Sequence, residues 1–166
     1  MNGASSNSNC IVAIRLRGTA RVYPELQKTL DSLRLKSKYN AVLLPDNLSI
    51  KGMLQKAKDH ITWGEVDVNM IALLLQHRGR TIGNRRINDE YIKKMFPKYD
   101  SIKKLASAIA SGDIPLEKLW KAGIKPVFHL HPPKGGFKYT IKRPYGSEGE
   151  LGYRGPNIRE LLEKMI

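Results

Sequence analysis

The run CIVAIRL, residues 10–16, is apolar and rich in β-branched side chains, and the basic turn RGT follows it directly. This pattern predicts a buried strand that ends at a turn. The period then changes, because Leu26, Leu30 and Leu33 recur at helical spacing after Pro24, a residue that is well suited to a first helical turn. The two segments together predict one strand followed by one helix.

The residues that follow repeat this order of strand and helix. Residues 41–44 predict a second short strand, which ends at the turn sequence PDN. Ser49 is placed to cap a second helix, and the imperfect alternation of residues 60–66 predicts a third strand. Residues 10–66 therefore predict a βαβαβ module.

Residues 67–166 differ in kind, because their predicted elements are short and are separated by glycine and proline. Asp67 is expected to cap an apolar helix that reaches Arg78, with Gly79 in the left-handed conformation at its end. Three short helices, an edge strand between prolines and a terminal helix are predicted at residues 88–96, 101–111, 115–122, 127–130 and from about 156 onward. The predicted fold class is α+β.

The chain is strongly basic, with 29 Lys and Arg against 15 Asp and Glu and a formal net charge of +14. Such a charge concentrates polyanions, so a nucleic acid or an anionic membrane surface is expected as partner. A membrane-surface protein needs an amphipathic basic helix or a lipidation signal, and the sequence shows neither. The longest apolar run, residues 70–75, is far shorter than the roughly 20 residues of a membrane-spanning helix. Nucleic acid is the favoured partner.

The start of the chain carries no sign of export. Residues 1–9 are small and polar and predict a disordered tail, without the basic and apolar regions of a secretion signal. Cys10 lies in an apolar run and is expected to be packed rather than reactive. Because one cysteine allows no intramolecular disulfide, a reducing compartment such as the cytoplasm is expected.

Residues that could support catalysis or bind a metal are scattered. His129 and His131 alternate on the predicted edge strand, but no CxxC, HExxH or second cysteine accompanies them. Ordinary packed or RNA-facing histidines are therefore expected, with no metal and no cofactor. Acidic residues lie mostly at helix starts, where they complement the helix dipole, and no nucleophile elbow is found. An enzyme is not expected.

Two glycine-rich stretches, residues 132–139 and 146–155, place backbone amides beside cations and aromatic rings. Glycine permits close approach to a phosphate, Lys and Arg neutralise it, and Tyr or Phe can stack on an unpaired base. A flexible surface hairpin is the alternative interpretation. Because no recognition helix, zinc finger or basic zipper is recognisable, the scattered cations favour irregular RNA over sequence-specific DNA binding. General DNA compaction is a further alternative.

Several blocks of sequence have the order and spacing of a known family. In the first part they are IRLRG at 14–18, TLDSLRL at 29–35, NAVLLP at 40–45, IKGML at 50–54 and ITWGEV at 61–66. These blocks resemble the large-subunit ribosomal protein family L-thirty. The second part is similar to the extension of archaeal members and of the eukaryotic counterpart, L-seven, through RGR at 78–80, FHL at 128–130, PKGG at 133–136, GYR at 152–154 and IRELL at 158–162. An archaeal-type member is the best match.

The resemblance implies a non-catalytic, ribosome-bound protein of the cytoplasm that binds large-subunit ribosomal RNA. It implies a position near 5S ribosomal RNA and neighbouring ribosomal proteins, with no membrane and no small-molecule substrate. For residues 10–66 it implies a three-stranded sheet with two helices on one face, a ferredoxin-like variant, and for residues 67–166 a mostly helical C-terminal extension. An RNA-processing enzyme or a ribosome assembly factor is the alternative function.

The resemblance also implies which residues contact RNA. They lie in the turn after the first strand, along and beyond the first helix, in the second helix, and in the basic segments of the extension. The expected RNA-binding residues are Arg15, Arg17, Arg21, Lys28, Arg34, Lys36, Lys38, Lys51, Gly52, Arg78, Arg80, Arg85, Arg86, Lys134, Lys138, Lys142, Arg143 and Arg154.

Overall fold

The computed structural model describes residues 9–166, so residues 1–8 of the predicted tail lie outside the described part. Asn9 is tied to the fold at the end of a helix. Its backbone N–H donates to the oxygen of Ala110 over 3.0 Å, and its side-chain amide donates to the oxygen of Ser111 over 3.3 Å. The described part of the chain is therefore anchored one residue before the first strand.

The structure is α+β, as predicted, and the strand and helix order of the first part is confirmed. The elements of that part are β1 Cys10–Arg15, α1 Pro24–Ser32, β2 Asn40–Pro45, α2 Leu48–Lys56 and β3 Ile61–Glu65. The second part contains α3 Val68–Arg78, α4 Asp89–Met95, α5 Ile102–Ser111, α6 Leu116–Lys121, β4 Val127–His129, β5 Thr140–Pro144, β6 Gly149–Tyr153, a 3-10 turn Gly155–Asn157 and α7 Ile158–Met165.

Within residues 9–166 the sheet has six strands in the order β4-β2-β1-β3-β6-β5, so the expected three-stranded sheet is wrong. The strands predicted from periodicity form its centre, where β1 pairs antiparallel with both β2 and β3. β4 adds antiparallel to β2 at one edge, as predicted for an edge strand, and β6 adds parallel to β3. β4 was predicted, at residues 127–130, whereas β5 and β6 escape prediction because their residues are rich in glycine and charge.

Both faces of the central sheet are covered, which explains why β1 is apolar at every position except Arg15. Ile11 and Ala13 pack with Leu30 of α1 and Leu54 of α2 on one face. The alternate side chains of β1, beginning with Cys10, face a second cluster to which α3, α5 and α7 contribute. The extension is therefore the second layer of the same core rather than an appendage.

The helix ends follow local capping chemistry, with two corrections to the predictions. Asp67 caps α3 as predicted, accepting from the N–H of Met70 over 2.9 Å. The predicted cap Ser49 is wrong, because Asn47 accepts from Ile50 N over 2.8 Å and α2 begins at Leu48. Gly79 is extended rather than left-handed, with φ −63°. A glycine is required here because there is no room for a side chain: an added Cβ would lie 2.3 Å from the oxygen of Leu75.

Candidate nucleic-acid interface

Antiparallel pairing gathers cations at one end of the sheet. The C-terminal end of β1 lies beside the N-terminal ends of β2 and β3, since Ile14 pairs with Ala41 and Arg15 with Ile61. We call this the basic end, formed by the half-exposed Arg17 and the exposed Lys36, Lys38 and Lys58. Of these, Lys58 is absent from the predicted set. It could have been found from its position just before the third predicted strand.

The opposite end of the sheet is acidic, with Asp46 after β2 and with Glu65 and Asp67 at and after the end of β3. Lys51 belongs to that end, because its ammonium pairs with a carboxylate oxygen of Asp46 at 3.1 Å. The structure therefore does not bring Lys51 and the neighbouring Gly52 together with the basic end. The sheet therefore carries positive charge at one end and negative charge at the other.

Arg15, a predicted RNA contact, has a fully buried side chain, so it lies beneath the surface of the basic end. Its guanidinium donates to three main-chain oxygens: those of Leu35 at 2.7 Å, Arg17 at 2.9 Å and Gly18 at 3.2 Å. Burial lowers the pKa of Arg15, while the charge of Asp31 opposes this shift. The residue thus holds the loop after β1 against the segment before β2.

His60 lies among these cations, between α2 and β3. Its main-chain oxygen accepts from the N–H groups of Leu16 and Arg17, and Arg17 Nη1 donates to the oxygen of Asp59. Burial and then the charges of Arg17 and Arg15 lower the pKa of His60, and Asp59 opposes the shift. Burial and the neighbouring positive charges therefore favour the neutral form of this imidazole.

A groove along the β4 edge continues the basic end. Its lining includes Arg34, Lys36, Lys125 and His129. Lys125 is absent from the predicted set, although a cation immediately before a predicted edge strand is a recognisable signal. His129 is held by a hydrogen bond of 3.0 Å between its Nδ1 and Asn40 Oδ1. Within residues 9–166 no cluster of three or more His, Cys, Asp or Glu side chains is arranged to bind a metal.

The basic loop between α3 and α4 adjoins this groove. The oxygen of Arg80 accepts from Lys125 N over 2.8 Å, and Arg80 pairs with Arg86 across the loop. Arg85 and Arg86 are exposed, whereas Arg78 and Arg80 are half-buried. The loop therefore extends the groove and the basic end into one continuous cationic surface.

The predicted RNA-binding cations of the glycine-rich segments differ in exposure. Lys134, Lys138, Lys142 and Arg143 are exposed, and Arg143 pairs with Glu148 at 3.2 Å. All four side chains therefore lie at the surface, although Arg143 is paired with Glu148, whereas Arg154 is buried.

Arg154, also a predicted RNA contact, is only 7% exposed. Its Nη2 lies 2.7 Å from Glu150 Oε2, and its Nε donates to the hydroxyl of Thr62 over 2.9 Å. This network joins β6 to β3, so the role of Arg154 in the structure is to hold the sheet together.

The remaining predicted residues are exposed on the side of the chain that carries α1. Lys28 lies on that helix, Arg21 in the loop before it and Arg34 just after it. Arg21 and Arg34 both have left-handed backbone conformations, with φ of 58° and 62°. Residues other than glycine adopt this conformation at a cost of about 1 to 2 kcal/mol, so the surrounding loops must hold both arginines in place.

Comparison with known proteins identifies the family. The sequence model of the family "Ribosomal protein L30p/L7e" matches residues 11–61, which contain the βαβαβ order up to the start of β3. The chain is similar to "Large ribosomal subunit protein uL30" of Staphylothermus marinus, with 50% identity over 92% of this chain and 96% of that protein. The chain belongs to the ribosomal protein L30p/L7e family.

Other members of the L30p/L7e family align over the same length. The relatives from Hyperthermus butylicus and Methanobrevibacter smithii, which carry the same name, are 46% and 44% identical over 92% and 93% of this chain and 88% and 99% of their own. These alignments include the extension as well as the part that the family model covers. The resemblance to archaeal members is confirmed. No helix among the described residues is long and apolar enough to cross a membrane.

Proposed function

We propose that this chain is a structural, non-catalytic constituent of the large ribosomal subunit and that it binds large-subunit ribosomal RNA. The relatives are named as large-subunit proteins and align along nearly the whole chain. The observation that carries the RNA contact is the antiparallel pairing of β1, which gathers Arg17, Lys36 and Lys38 at one end of the sheet. Such cations neutralise the phosphates of a folded RNA and position the protein on it, with no turnover step.

The proposed RNA-binding surface has a main part and three smaller parts. The main part runs from the basic end through the β4-edge groove to the basic loop, because Lys36 lines both the basic end and the groove and Lys125 joins the groove to the loop. The smaller parts are the glycine-rich segments, the N-terminal end of α2, and α1 with the loop before it. The residues proposed to contact RNA are Arg17, Arg21, Lys28, Arg34, Lys36, Lys38, Lys51, Gly52, Lys58, Arg78, Arg80, Arg85, Arg86, Lys125, Lys134, Lys138, Lys142 and Arg143.

The proposal includes a division of labour within the chain. Residues 10–66 serve as the ribosomal core module, with α1 and α2 on one face of β1, β2 and β3 in a ferredoxin-like arrangement. Residues 67–166 serve as the extension that covers the other face and adds the basic loop. The family-model match to residues 11–61 supports this boundary. In the cytoplasm the ribosome-bound chain contacts neighbouring ribosomal proteins and lies near 5S ribosomal RNA.

Binding to purified large-subunit ribosomal RNA at several salt concentrations tests the proposed surface. Replacing Arg17, Lys36 and Lys38 by Gln should weaken binding and make the salt dependence shallower. The slope of log affinity against log salt should decrease in steepness by about 0.7 to 0.9 for each phosphate that the variant no longer neutralises.

A control variant loses the same charge on the helices of the extension, by replacement of Lys93, Lys103 and Lys118, all exposed, by Gln. We expect this variant to retain the wild-type slope, because these lysines lie outside the proposed surface. Equal slopes for both variants would contradict the proposed surface. In a sucrose gradient the native protein should travel with large subunits, and its confinement to light fractions would favour the assembly-factor alternative.

A further inference from the structure

A groove beside α2 combines aromatic rings with lysines. It lies between the C-terminal end of α2 and strands β3, β5 and β6. We call it the aromatic groove, and its lining includes Lys58, Trp63, Lys142, Tyr145, Gly152 and Tyr153. Only Lys58 also belongs to the basic end, so the groove is a separate surface next to it.

The two tyrosine rings of the aromatic groove are held by their hydroxyl groups. Tyr153 donates to Glu65 Oε1 over 2.7 Å, and the hydroxyl of Tyr145 accepts from Asn157 Nδ2 over 3.0 Å. The Tyr153 ring also rests against Trp63, with ring centroids 6.2 Å apart. Tyr153 nevertheless remains 53% exposed and Tyr145 36%. Rings fixed in this way lose little conformational entropy when a ligand stacks on them.

The ring of Tyr145 already has a contact within the protein. The guanidinium of Arg154 lies 4.8 Å from the centroid of that ring, and Arg154 is itself fixed by Glu150. Tyr145 therefore serves as a rigid wall of the groove, and Tyr153 offers the larger free ring surface.

The charge and the floor of the groove fit an RNA nucleotide. Lys58 and Lys142 line it against the single carboxylate of Asp59, and neither lysine forms an ion pair with any side chain of residues 9–166. A Cβ built on Gly152 would meet no atom within 4 Å, so the space above this backbone is open. The lysines favour a polyanion over a segment of a basic protein as the occupant.

We propose that the aromatic groove binds an unpaired nucleotide of ribosomal RNA, with the base stacked on Tyr153 and the adjacent phosphates facing Lys58 and Lys142. The inference rests on the proposed function and adds base stacking to the phosphate contacts of the basic surface. Unpaired bases of folded RNA are recognised by stacking on aromatic side chains, and such stacking tolerates any base.

The test compares variants of the full chain in binding to purified large-subunit ribosomal RNA. Tyr153→Leu should weaken binding about 5- to 150-fold, the effect of losing one base–aromatic stack. Its salt slope should match that of the wild type, because stacking releases no counterions. Tyr153→Phe, which keeps the ring and loses only the hydrogen bond to Glu65, should bind within about twofold of the wild type. Tyr23→Leu is the control, since Tyr23 is 79% exposed and lies outside the groove.

The charge contacts and the base contact are tested separately. Replacing Lys58 and Lys142 by Gln should reduce the salt slope by about 0.7 to 0.9 for each phosphate left without its lysine. Chemical probing of the bound RNA should reveal a nucleotide whose base is protected by the wild type and by Tyr153→Phe but reactive with Tyr153→Leu. The inference requires this protection already with the wild-type protein, and that measurement does not depend on how well any variant folds.

Three outcomes would overturn the inference. They are wild-type affinity of Tyr153→Leu, an equal loss with Leu and with Phe, and a loss that occurs only when other ribosomal proteins are added, which would indicate a protein occupant. The proposed function is tested independently, because wild-type affinity and slope of the Arg17, Lys36 and Lys38 variant would contradict it whatever the Tyr153 variants show.

Discussion

Arg15 Nη1 donates a hydrogen bond of 2.7 Å to the main-chain oxygen of Leu35, which joins the end of β1 to the segment that leads into β2. The same guanidinium also binds the oxygens of Arg17 and Gly18. One buried cation therefore organises the two loops that carry Arg17 and Lys36, without itself reaching the surface. Its substitution should change stability, whereas substitution of Arg17 should change RNA affinity.

Arg15→Met should lower the free energy of unfolding by about 2 to 4 kcal/mol, because it leaves main-chain oxygens without donors and buries no replacement polar group. Urea denaturation followed by circular dichroism measures this change. Arg17→Gln is the matched control and should stay within about 0.5 kcal/mol of the wild type while binding RNA more weakly. A variant at position 15 as stable as the wild type would show that these bonds contribute little.

Leu30→Ala should cost about 2 to 5 kcal/mol of unfolding free energy, because Leu30 is fully buried between α1 and the sheet. Leu48→Ala provides the comparison, since Leu48 is 88% exposed at the start of α2 and its truncation should change stability by less than about 0.5 kcal/mol. Melting curves of the two variants should therefore separate clearly. Coincident curves would contradict the packing of α1 on this face.

Arg154→Leu should lower the free energy of unfolding by about 3 to 5 kcal/mol, because Glu150 then remains buried without its partner. The double variant Arg154→Leu with Glu150→Leu should recover much of that loss, since it leaves no unpaired charge. Neither variant should change the salt slope of RNA binding. A reduced slope for Arg154→Leu would restore Arg154 to the set of RNA contacts.

The lowered pKa of His60 predicts a specific loss of stability in mild acid. In the unfolded chain the imidazole takes up a proton as pH falls through its ordinary value of 6.5, but in the folded chain it does so only at lower pH. Stability from this residue is therefore complete above that value and is lost as pH falls toward the folded pKa. Urea midpoints at about pH 7.5 and 5.5 should differ more for the wild type than for His60→Asn. Equal differences would contradict the shift.

An element could be predicted where its own residues form a clear hydrophobic pattern. Residues 10–66 were predictable, because Leu26, Leu30 and Leu33 repeat at helical spacing and β1 is a continuous apolar run. Strand β4 was also predicted, at residues 127–130, from its β-branched and aromatic residues between prolines. Strands β5 and β6 were not, because their pairing depends on distant partners, and Gly149 and Gly152 leave β6 without an alternating pattern. The six-stranded sheet is thus a product of tertiary pairing.

The site was predictable in composition but less so in geometry. Net charge identified the class of partner, yet it could not separate exposed cations from the buried Arg15 and Arg154. A signal was available for Arg15, because a lone cation inside an apolar strand must satisfy its donors locally. No comparable signal marks Arg154, since its partner Thr62 lies far away in sequence. The gathering of Lys58 with Lys36 depends on strand direction, which composition does not encode.

The second face of the central sheet sets a limit on shortening this protein. Val12, Ile14, Ala41 and Leu43 face the cluster supplied by the extension. A fragment that stopped after β3 would present this aliphatic surface to water and would self-associate. A shortened chain would therefore need hydrophilic side chains at these alternate strand positions. Chain length and the composition of the strands are coupled in this way.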